Sequence, residues 1–365
     1  MKFLMLNWRD PLNPAAGGAE RVTLGYLSGL VKRGHQVDWY AFGFEEGLKE
    51  EVFEGIRIIR GGSTATAWFQ ALIWARKQSR YDLVIDQHHG IPWFAPWWCR
   101  TQCVSYIHEV LGPIWDSFYS RPWSWIGKHQ EKFIHRLYRK CVFWTASEAT
   151  SRQLKNHGIR TVHRIPYGVS IKALTHLPTK TLQTPLKLIV VSRLAPNKRI
   201  DHAIAALPSL RSRGVDAVLQ IIGRGGEIDQ LRKKTREMGI ESQVEFTGSL
   251  NEKDKNRRLM DSHILLHTSI REGWGLNVIE ANAMGTPAIA YPSEGLTEST
   301  IHRKTGLISE KETPESLATS IEELSRNPKE YQTLRINAWN RSREYHWDRV
   351  LPEACSWLET MASSC

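Results

Sequence analysis

Short apolar runs alternate with amphipathic stretches along most of the chain. Lys2–Asn7, Gln36–Ala41, Ile56–Arg60, Leu83–Asp86, Gln102–Ile107 and Val142–Thr145 are compact and rich in aliphatic and aromatic side chains, which predicts strands. Between them the period lengthens. Val22, Tyr26, Leu27 and Leu30 fall on one side of a helix over Gly18–Val31, and further helices are predicted near Trp68–Lys77, Ile126–Arg139 and Glu148–His157. Residues 169–185 break the rhythm with Pro178, Pro185 and scattered Thr and Lys, so the linker is placed there. A second series of predicted strands follows at Leu186–Val191, Ala217–Ile222, Val244–Phe246, Ile264–His267 and Thr286–Ala290. Strand–helix alternation of this kind predicts parallel sheets covered by helices. The expected architecture is α/β: two Rossmann-like, doubly wound domains, residues 1–168 and 186–345, facing across a cleft lined by strand-end loops.

The stretch Arg271–Pro287, REGWGLNVIEANAMGTP, concentrates the candidate chemistry. Glu272 and Glu280 stand eight positions apart, with the turn Gly273-Trp274-Gly275 between them. After the turn, Leu276, Ile279, Ala283 and Met284 follow helical spacing, so Glu272 belongs to a loop and Glu280 to a helix. A helix N-terminus gathers unpaired N–H groups that attract anions. Glycine lets a ligand come close to the backbone, and a carboxylate accepts hydrogen bonds from sugar or ribose hydroxyls. The N–H groups of Trp274, Gly275 and Leu276 are expected to face a sugar and a phosphate. Arg193 and Lys198 follow the first strand of the second series, where cations can meet a diphosphate. Without the glycine–aromatic turn, the two glutamates would read as helix-edge carboxylates beside the dipole.

Taken together these residues resemble the Glu-x7-Glu signature of the retaining GT-B glycosyltransferases, the group 1 branch that holds glycogen synthases and bacterial mannosyl- and glucosyltransferases. The resemblance extends along the chain in the family's order. It runs through Gly17-Gly18-Ala19-Glu20-Arg21, His108-Glu109, Ser147-Glu148 and Ile165-Pro166-Tyr167-Gly168-Val169. It continues through Ser192-Arg193-Leu194 with Lys198, Ile222-Gly223-Arg224-Gly225 and Phe246-Thr247-Gly248. Tyr167 and Ser170 stand where the family has Asn and Asp, and Ser192 where Gly is common. The resemblance implies transfer of a hexose from a UDP- or GDP-sugar to a glycan, polyprenyl- or lipid-linked acceptor, with retention and without a metal. It implies that Arg193 and Lys198 stabilise the leaving diphosphate, Glu272 binds the donor sugar, Glu280 binds the ribose and His108 touches the transferred sugar. Gly17, Gly18, Gly223, Arg224 and Gly248 complete the donor site by the same resemblance. A helix over about 346–365, carrying Trp347 and Trp357, is implied to pack back on the N-terminal domain.

Composition bounds the remaining readings. Nine of the eleven excess positive charges and eleven of the fifteen tryptophans lie in residues 1–175. A basic, Trp-rich half suits contact with an anionic surface, and peripheral attachment at the inner face of the membrane is expected of a cytoplasmic enzyme of this kind. The aromatic clusters around Trp93–Trp98 and Trp115–Trp125 are the candidates for that contact, against a plain reading as core and cleft wall. Five cysteines with no CxxC pair argue against a disulfide framework or zinc site, and the apolar start of the chain is too short for a signal peptide. His88-His89 on extended chain would point apart and is not taken as a metal pair. No Asp-x-Asp occurs, which fits charge neutralisation by Arg, Lys and helix dipole, so no cofactor is expected. The alternatives are a non-catalytic binder of sugar nucleotides or nucleic acid, a sugar-nucleotide epimerase or phosphorylase, and a dinucleotide oxidoreductase. The last lacks G-x-G-x-x-G, and no nucleic-acid motif is present.

Overall fold

The computed structural model describes residues 1–63, 66–88 and 90–364. They form two compact units. One comprises Met1–Gly112, Pro122–Gly168 and Trp347–Cys365; the other comprises Pro113–Arg121 and Val169–His346.

The first unit is built on eight strands: β1 (Lys2–Leu6), β2 (Gln36–Ala41), β3 (Glu50–Phe53), β4 (Ile56–Arg60), β5 (Leu83–Gln87), β6 (Gln102–Tyr106), β7 (Val142–Thr145) and β8 (Thr161–Arg164). Their order is β3-β4-β2-β1-β5-β6-β7-β8, parallel except for the β3–β4 hairpin. From β1 the chain first winds outward to β2 and later returns to β5 on the other side. Right-handed crossovers in opposite directions place helices on both faces and leave a switch point between β1 and β5. The interior strands are buried on both faces, which explains their nearly continuous apolar runs. A bidentate pair between buried Arg60 and Asp10, at 2.6 and 2.8 Å, ties the end of β4 to the loop after β1.

The second unit has six parallel strands: β9 (Leu186–Val191), β10 (Ala217–Ile222), β11 (Val244–Gly248), β12 (Ile264–His267), β13 (Ala288–Ala290) and β14 (Gly306–Ile308). The order β11-β10-β9-β12-β13-β14 again reverses direction, here between β9 and β12. Leu188, Val190, Leu219, Ile221, Leu266 and Ile289 meet Ile204, Leu207 and Ile321 from the covering helices in one fully buried core. Residues 169–185 contain neither helix nor strand. Pro113–Arg121, with the short helix Ile114–Phe118, groups with this unit.

Three strands are absent from the expectations: β3, β8 and β14. Two are polar edge strands, with sequences EEVF and TVHR, and the third is only three residues long. An edge strand is not buried on two sides, so no apolar run marks it. The predicted strand Thr286–Ala290 shortens to β13 because Thr286 turns its hydroxyl to the Leu259 and Ser262 carbonyls. The helix expected over Ile126–Arg139 begins three residues earlier, at Trp123, directly after Pro122, whose fixed φ suits a helix start. Among the described residues no helix is long and apolar enough to cross a membrane.

The last helix, Trp347–Ser363, lies on the Gly18–Lys32 helix within the first unit. A Cβ added to Gly25 or to Gly168 would stand 2.1 Å from the Trp347 ring, so both glycines exist to admit that ring. Replacing Gly25 by Val is expected to lower stability by about 1–3 kcal/mol through overpacking, and Trp347→Ala by about 3 kcal/mol. In calorimetric unfolding the double variant should cost clearly less than the two singles together, because the valine occupies space the ring has left. Strict additivity would show that the two do not share that space.

Candidate functional site

The residues singled out in the second unit converge at the carboxyl ends of β9, β10 and β12, beside the switch point, where an open α/β sheet leaves room for a ligand. β9 runs into Ser192–Leu194 and then into the tight turn Pro196–Lys198. β12 runs into Thr268–Glu272 and on through Gly273-Trp274-Gly275 to the helix Leu276–Ala283. The two loops are stitched together. The Thr268 hydroxyl donates to the Lys198 and Arg199 carbonyls at 2.9 Å, and the Ile270 N–H donates to the Asn197 carbonyl at 3.0 Å. The short helix Ile114–Phe118 lies against the same turn.

Lys198 and Glu272 form an ion pair at the centre of this arrangement. The Ser269 hydroxyl donates to the same carboxylate oxygen at 2.8 Å, and His267 Nε2 stands 3.6 Å from it. Burial pushes the Glu272 carboxyl up, but Lys198, His267 and Ser269 outweigh it and hold the group down at about 2. Burial likewise lowers His267 to about 4, with Glu272 acting against the shift and Lys198 with it. The site therefore carries an ionised carboxylate, paired with Lys198, and a neutral imidazole near neutral pH.

Glu280 sits in the helix Leu276–Ala283, and its carboxylate accepts from Lys255 Nζ at 2.8 Å. Lys255 also pairs with Glu252 at 2.9 Å. A carboxylate offers about four lone-pair directions, so Glu280 keeps acceptor capacity for a ligand. One turn earlier, the Asn277 amide donates to the Val191 carbonyl at 2.8 Å and fixes the helix to the end of β9. Arg193 follows two residues later and is exposed, as is Arg224 beyond β10. The helix begins at Gly275, whose φ of +91° is left-handed. The N–H groups of Trp274, Gly275 and Leu276 find no acceptor among the described residues, although Trp274 and Gly275 are buried. Trp274 is buried against Tyr345, with ring centroids 5.5 Å apart. Gly223, at φ +143°, would place a Cβ 1.8 Å from the Ser192 carbonyl oxygen, and its N–H donates to the Gly248 carbonyl at 2.9 Å. These glycines bring the ends of β9, β10 and β11 close together.

In the first unit, Gly17 precedes the helix Gly18–Lys32. Its N–H donates to Glu20 at 2.7 Å, so that amide is taken by the protein. Its φ of −135° suits any residue, and a Cβ there would meet only Glu20, at 3.8 Å. Neither conformation nor packing therefore requires glycine at this position. His108 follows β6 and is buried. Its Nε2 faces the Gln87 amide nitrogen at 2.8 Å and its Nδ1 faces the Tyr167 hydroxyl at 2.5 Å. A Gln amide nitrogen can only donate, so Nε2 accepts and the proton sits on Nδ1. Any sugar hydroxyl reaching either ring nitrogen would have to displace one of these partners. His88 is buried with Nδ1 3.4 Å from Asp86, and His89 lies outside the described residues.

The sequence reading missed several members of the site. His267 and Ser269 stand immediately before the glutamate turn, and their place at a strand end was the available signal. Lys255 and the loop Ser293–Gly295 gave none. The Glu272 N–H donates to the Glu294 carbonyl at 3.1 Å, and a Cβ on Gly295 would lie 2.0 Å from the Glu272 carbonyl oxygen. Arg271 pairs with Glu294 in the same loop.

Known proteins share both halves of the chain. The family described as "Glycosyl transferases group 1" matches residues 177–341, and "Glycosyltransferase Family 4" matches residues 16–173. A GDP-mannose-dependent α-(1-6)-phosphatidylinositol monomannoside mannosyltransferase of Mycobacterium tuberculosis is 34% identical over 144 residues, 38% of this chain; the match spans 37% of that relative's length. Sucrose-phosphate synthase from Thermosynechococcus elongatus superimposes with a TM-score of 0.81 at 18% identity, covering 100% of both chains. Anabaena HepE, in complex with UDP-glucose, superimposes with a TM-score of 0.77 at 18% identity, covering 99% of this chain and 100% of that one.

The two pKa shifts act on stability in the same direction. Glu272, held at about 2 in the fold, contributes stability that is complete above the unfolded carboxyl value and lost as pH falls toward 2. His267, lowered to about 4, loses its contribution as pH falls from the ordinary imidazole value through 4. Removing the ammonium in Lys198→Met leaves burial to dominate, so the Glu272 pKa rises. The variant is expected to lose about 3 kcal/mol at neutral pH and to show a flatter decline between about pH 5 and 2 than the parent in urea titrations. An unchanged acid limb would mean that Lys198 does not hold Glu272 ionised.

Proposed function

We propose that this chain, which belongs to the glycosyl transferases group 1 and has the GT-B fold, moves a hexose from a nucleoside-diphosphate sugar to the hydroxyl of a glycan or lipid-linked acceptor. The reaction retains the anomeric configuration and uses no metal. The observation that carries this reading is the Lys198–Glu272 pair. It lies beside unsatisfied helix-start amides and exposed arginines at the switch point of the second sheet. The donors named for the M. tuberculosis relative, GDP-mannose, and in the HepE complex, UDP-glucose, support a nucleotide sugar.

In this mechanism the diphosphate lies across the amides of Trp274, Gly275 and Leu276, with Arg193 and Lys198 meeting the charge that grows as the glycosidic bond breaks. Glu272 accepts from donor-sugar hydroxyls and Glu280 from the ribose. Gly223, Arg224 and Gly248 border the base. The acceptor is assigned to the first unit, where His108 is held in one tautomer by Gln87 and Tyr167. The acceptor oxygen bonds to the anomeric carbon on the face the phosphate leaves. The carbon–oxygen bond to phosphate breaks, and the acceptor proton passes to a phosphate oxygen. Glu272 and Glu280 are assigned to the sugar and ribose hydroxyls, so this reading favours same-face substitution over a covalent sugar–enzyme intermediate.

A thermal-shift screen of nucleoside diphosphate-sugars identifies the donor by the stabilisation that mass action requires. With that donor, Arg193→Ala and Lys198→Ala are expected to lower kcat by about 10²–10³-fold. Glu280→Ala should raise KM about tenfold with little change in kcat, the mark of a contact made equally in ground and transition states. Proton NMR of the first product should show the donor's anomeric configuration, and EDTA should leave the rate unchanged. An inverted product or a chelator-sensitive rate would sink the corresponding half of the mechanism.

A further inference from the structure

The first unit holds a cavity of about 630 Å³ that the glycosyltransfer reading does not use. It opens at the amino ends of β5 and β6, beside the segments 78–81 and 98–101 that lead into those strands. Gly17, Gly18 and His108 follow the carboxyl ends of β1 and β6, so the cavity lies at the opposite end of the sheet. Its volume is that of a small-molecule site. Ala75, Trp98 and Cys99 form the apolar part of the lining over the buried Leu4 and Val84, and Arg76, Arg80 and Arg100 line it as well. All three arginines are exposed, and none of their guanidinium groups has a hydrogen-bond or ion-pair partner among the described residues. An apolar floor under unpaired guanidinium groups fits a molecule that is itself amphipathic and anionic.

The surface beside the cavity supplies the second observation. Arg76 directly follows the helix Ala67–Ala75, which exposes Trp68, Phe69 and Ile73. Trp97, the neighbour of the floor residue Trp98, is 57% exposed and meets Tyr138 at 4.9 Å between ring centroids. Tyr138 ends the helix Trp123–Leu137. That helix buries Ser124, Gly127, Glu131 and Ile134 and turns Trp123, Ile126, Phe133 and Leu137 outward in a single line. Phe133 is 59% exposed. Lys132, Arg136, Arg139 and Lys140 are exposed near it. Outward aromatic and aliphatic side chains among cations are the composition of a face that enters a lipid headgroup layer.

We propose that this face of the first unit docks on an anionic bilayer and that the cavity takes the phosphate-bearing headgroup of one of its lipids. Arg76, Arg80 and Arg100 close on the phosphate while the first segment of the acyl part lies on Ala75, Trp98 and Cys99. Charge complementarity selects the occupant: residues 1–175 carry nine of the chain's eleven excess positive charges. The site needs neither donor nor acceptor, so it stands or falls apart from the transfer chemistry.

Flotation of the full chain with phosphatidylglycerol-containing vesicles tests the docking. Combined Arg76→Ser, Arg80→Ser and Arg100→Ser substitutions should weaken binding at least about tenfold. A control triple with the same charge change, Arg152→Ser, Lys155→Ser and Arg160→Ser, should weaken it far less. Equal losses in the two triples would reduce the effect to general electrostatics and overturn the proposal. Cys99 lines the cavity and is half-buried, which allows a test on the unaltered protein. Phosphatidylglycerol vesicles should slow alkylation of Cys99 by iodoacetamide, read by peptide mass spectrometry, and phosphatidylcholine vesicles should not. Equal protection by glycerol 3-phosphate would make the cavity a site for soluble phosphate esters. Equal protection by polyglutamate would make it a site for acidic peptides. Either result would overturn the lipid assignment.

Discussion

A carboxylate removed from water stays ionised only where cations and hydrogen-bond donors replace the water, and Glu272 is the point at which this chain meets that condition. Its partners come from two loops that leave β9 and β12 on either side of the switch point: Lys198 from one, His267 and Ser269 from the other. The pair therefore does more than contribute energy. It fixes the separation of the two strand ends, holds a flexible lysine in one place and sets the entry of the chain into the helix at Gly275. Because Gly295 packs against the Glu272 carbonyl at a distance no Cβ could share, the third loop is locked to the same point. A donor bound here would meet charges already in position, so little reorganisation would be needed as the leaving group departs.

The sequence revealed those parts of the structure whose cause is local. Interior strands such as β9, buried on both faces, announce themselves by apolar runs, and the glutamate turn by glycines and an aromatic side chain at fixed spacing. The edge strands β3 and β8 carry charged or polar residues because one side faces no neighbour, so periodicity cannot find them. The same division runs through the site. The sequence pointed to Arg193, Lys198, Glu272 and Glu280, which the fold brings to neighbouring strand ends. It did not point to Lys255, twenty-five residues before the glutamate it binds, or to Glu294, whose carbonyl anchors the turn. Partnership across such distances is decided by the sheet order, which a single sequence does not display.

Tyr167 shows how a departure from a motif acquires physical content. Where the resembled family has Asn, this chain has a phenol, and its hydroxyl reaches His108 Nδ1 while Gln87 reaches Nε2. The imidazole is thereby held in one orientation from both sides. A side chain so restrained serves better as a shaped wall with a fixed dipole than as a free acid or base. The Thr23 hydroxyl, donating to the other end of the Gln87 amide at 2.8 Å, extends this restraint to the helix that Gly17 precedes.

The distribution of charge separates two kinds of attraction. The second half of the chain is nearly neutral, with an excess of only two positive charges in residues 176–365. In the proposed reaction a diphosphate approaching it feels no strong long-range field and would be held by what lies within a few ångströms: exposed Arg193 and Arg224, Lys198 and the helix-start amides. Lys198 is not cancelled by Glu272, because a bound phosphate can share the ammonium's remaining donors while the carboxylate keeps it in place. The first half is different. Its nine excess charges project a field over about a Debye length, which suits recognition of an extended anionic surface rather than of one small ligand. In the proposed function and the proposed docking, short-range capture and long-range attraction are separate requirements, and each falls to the half whose composition can meet it.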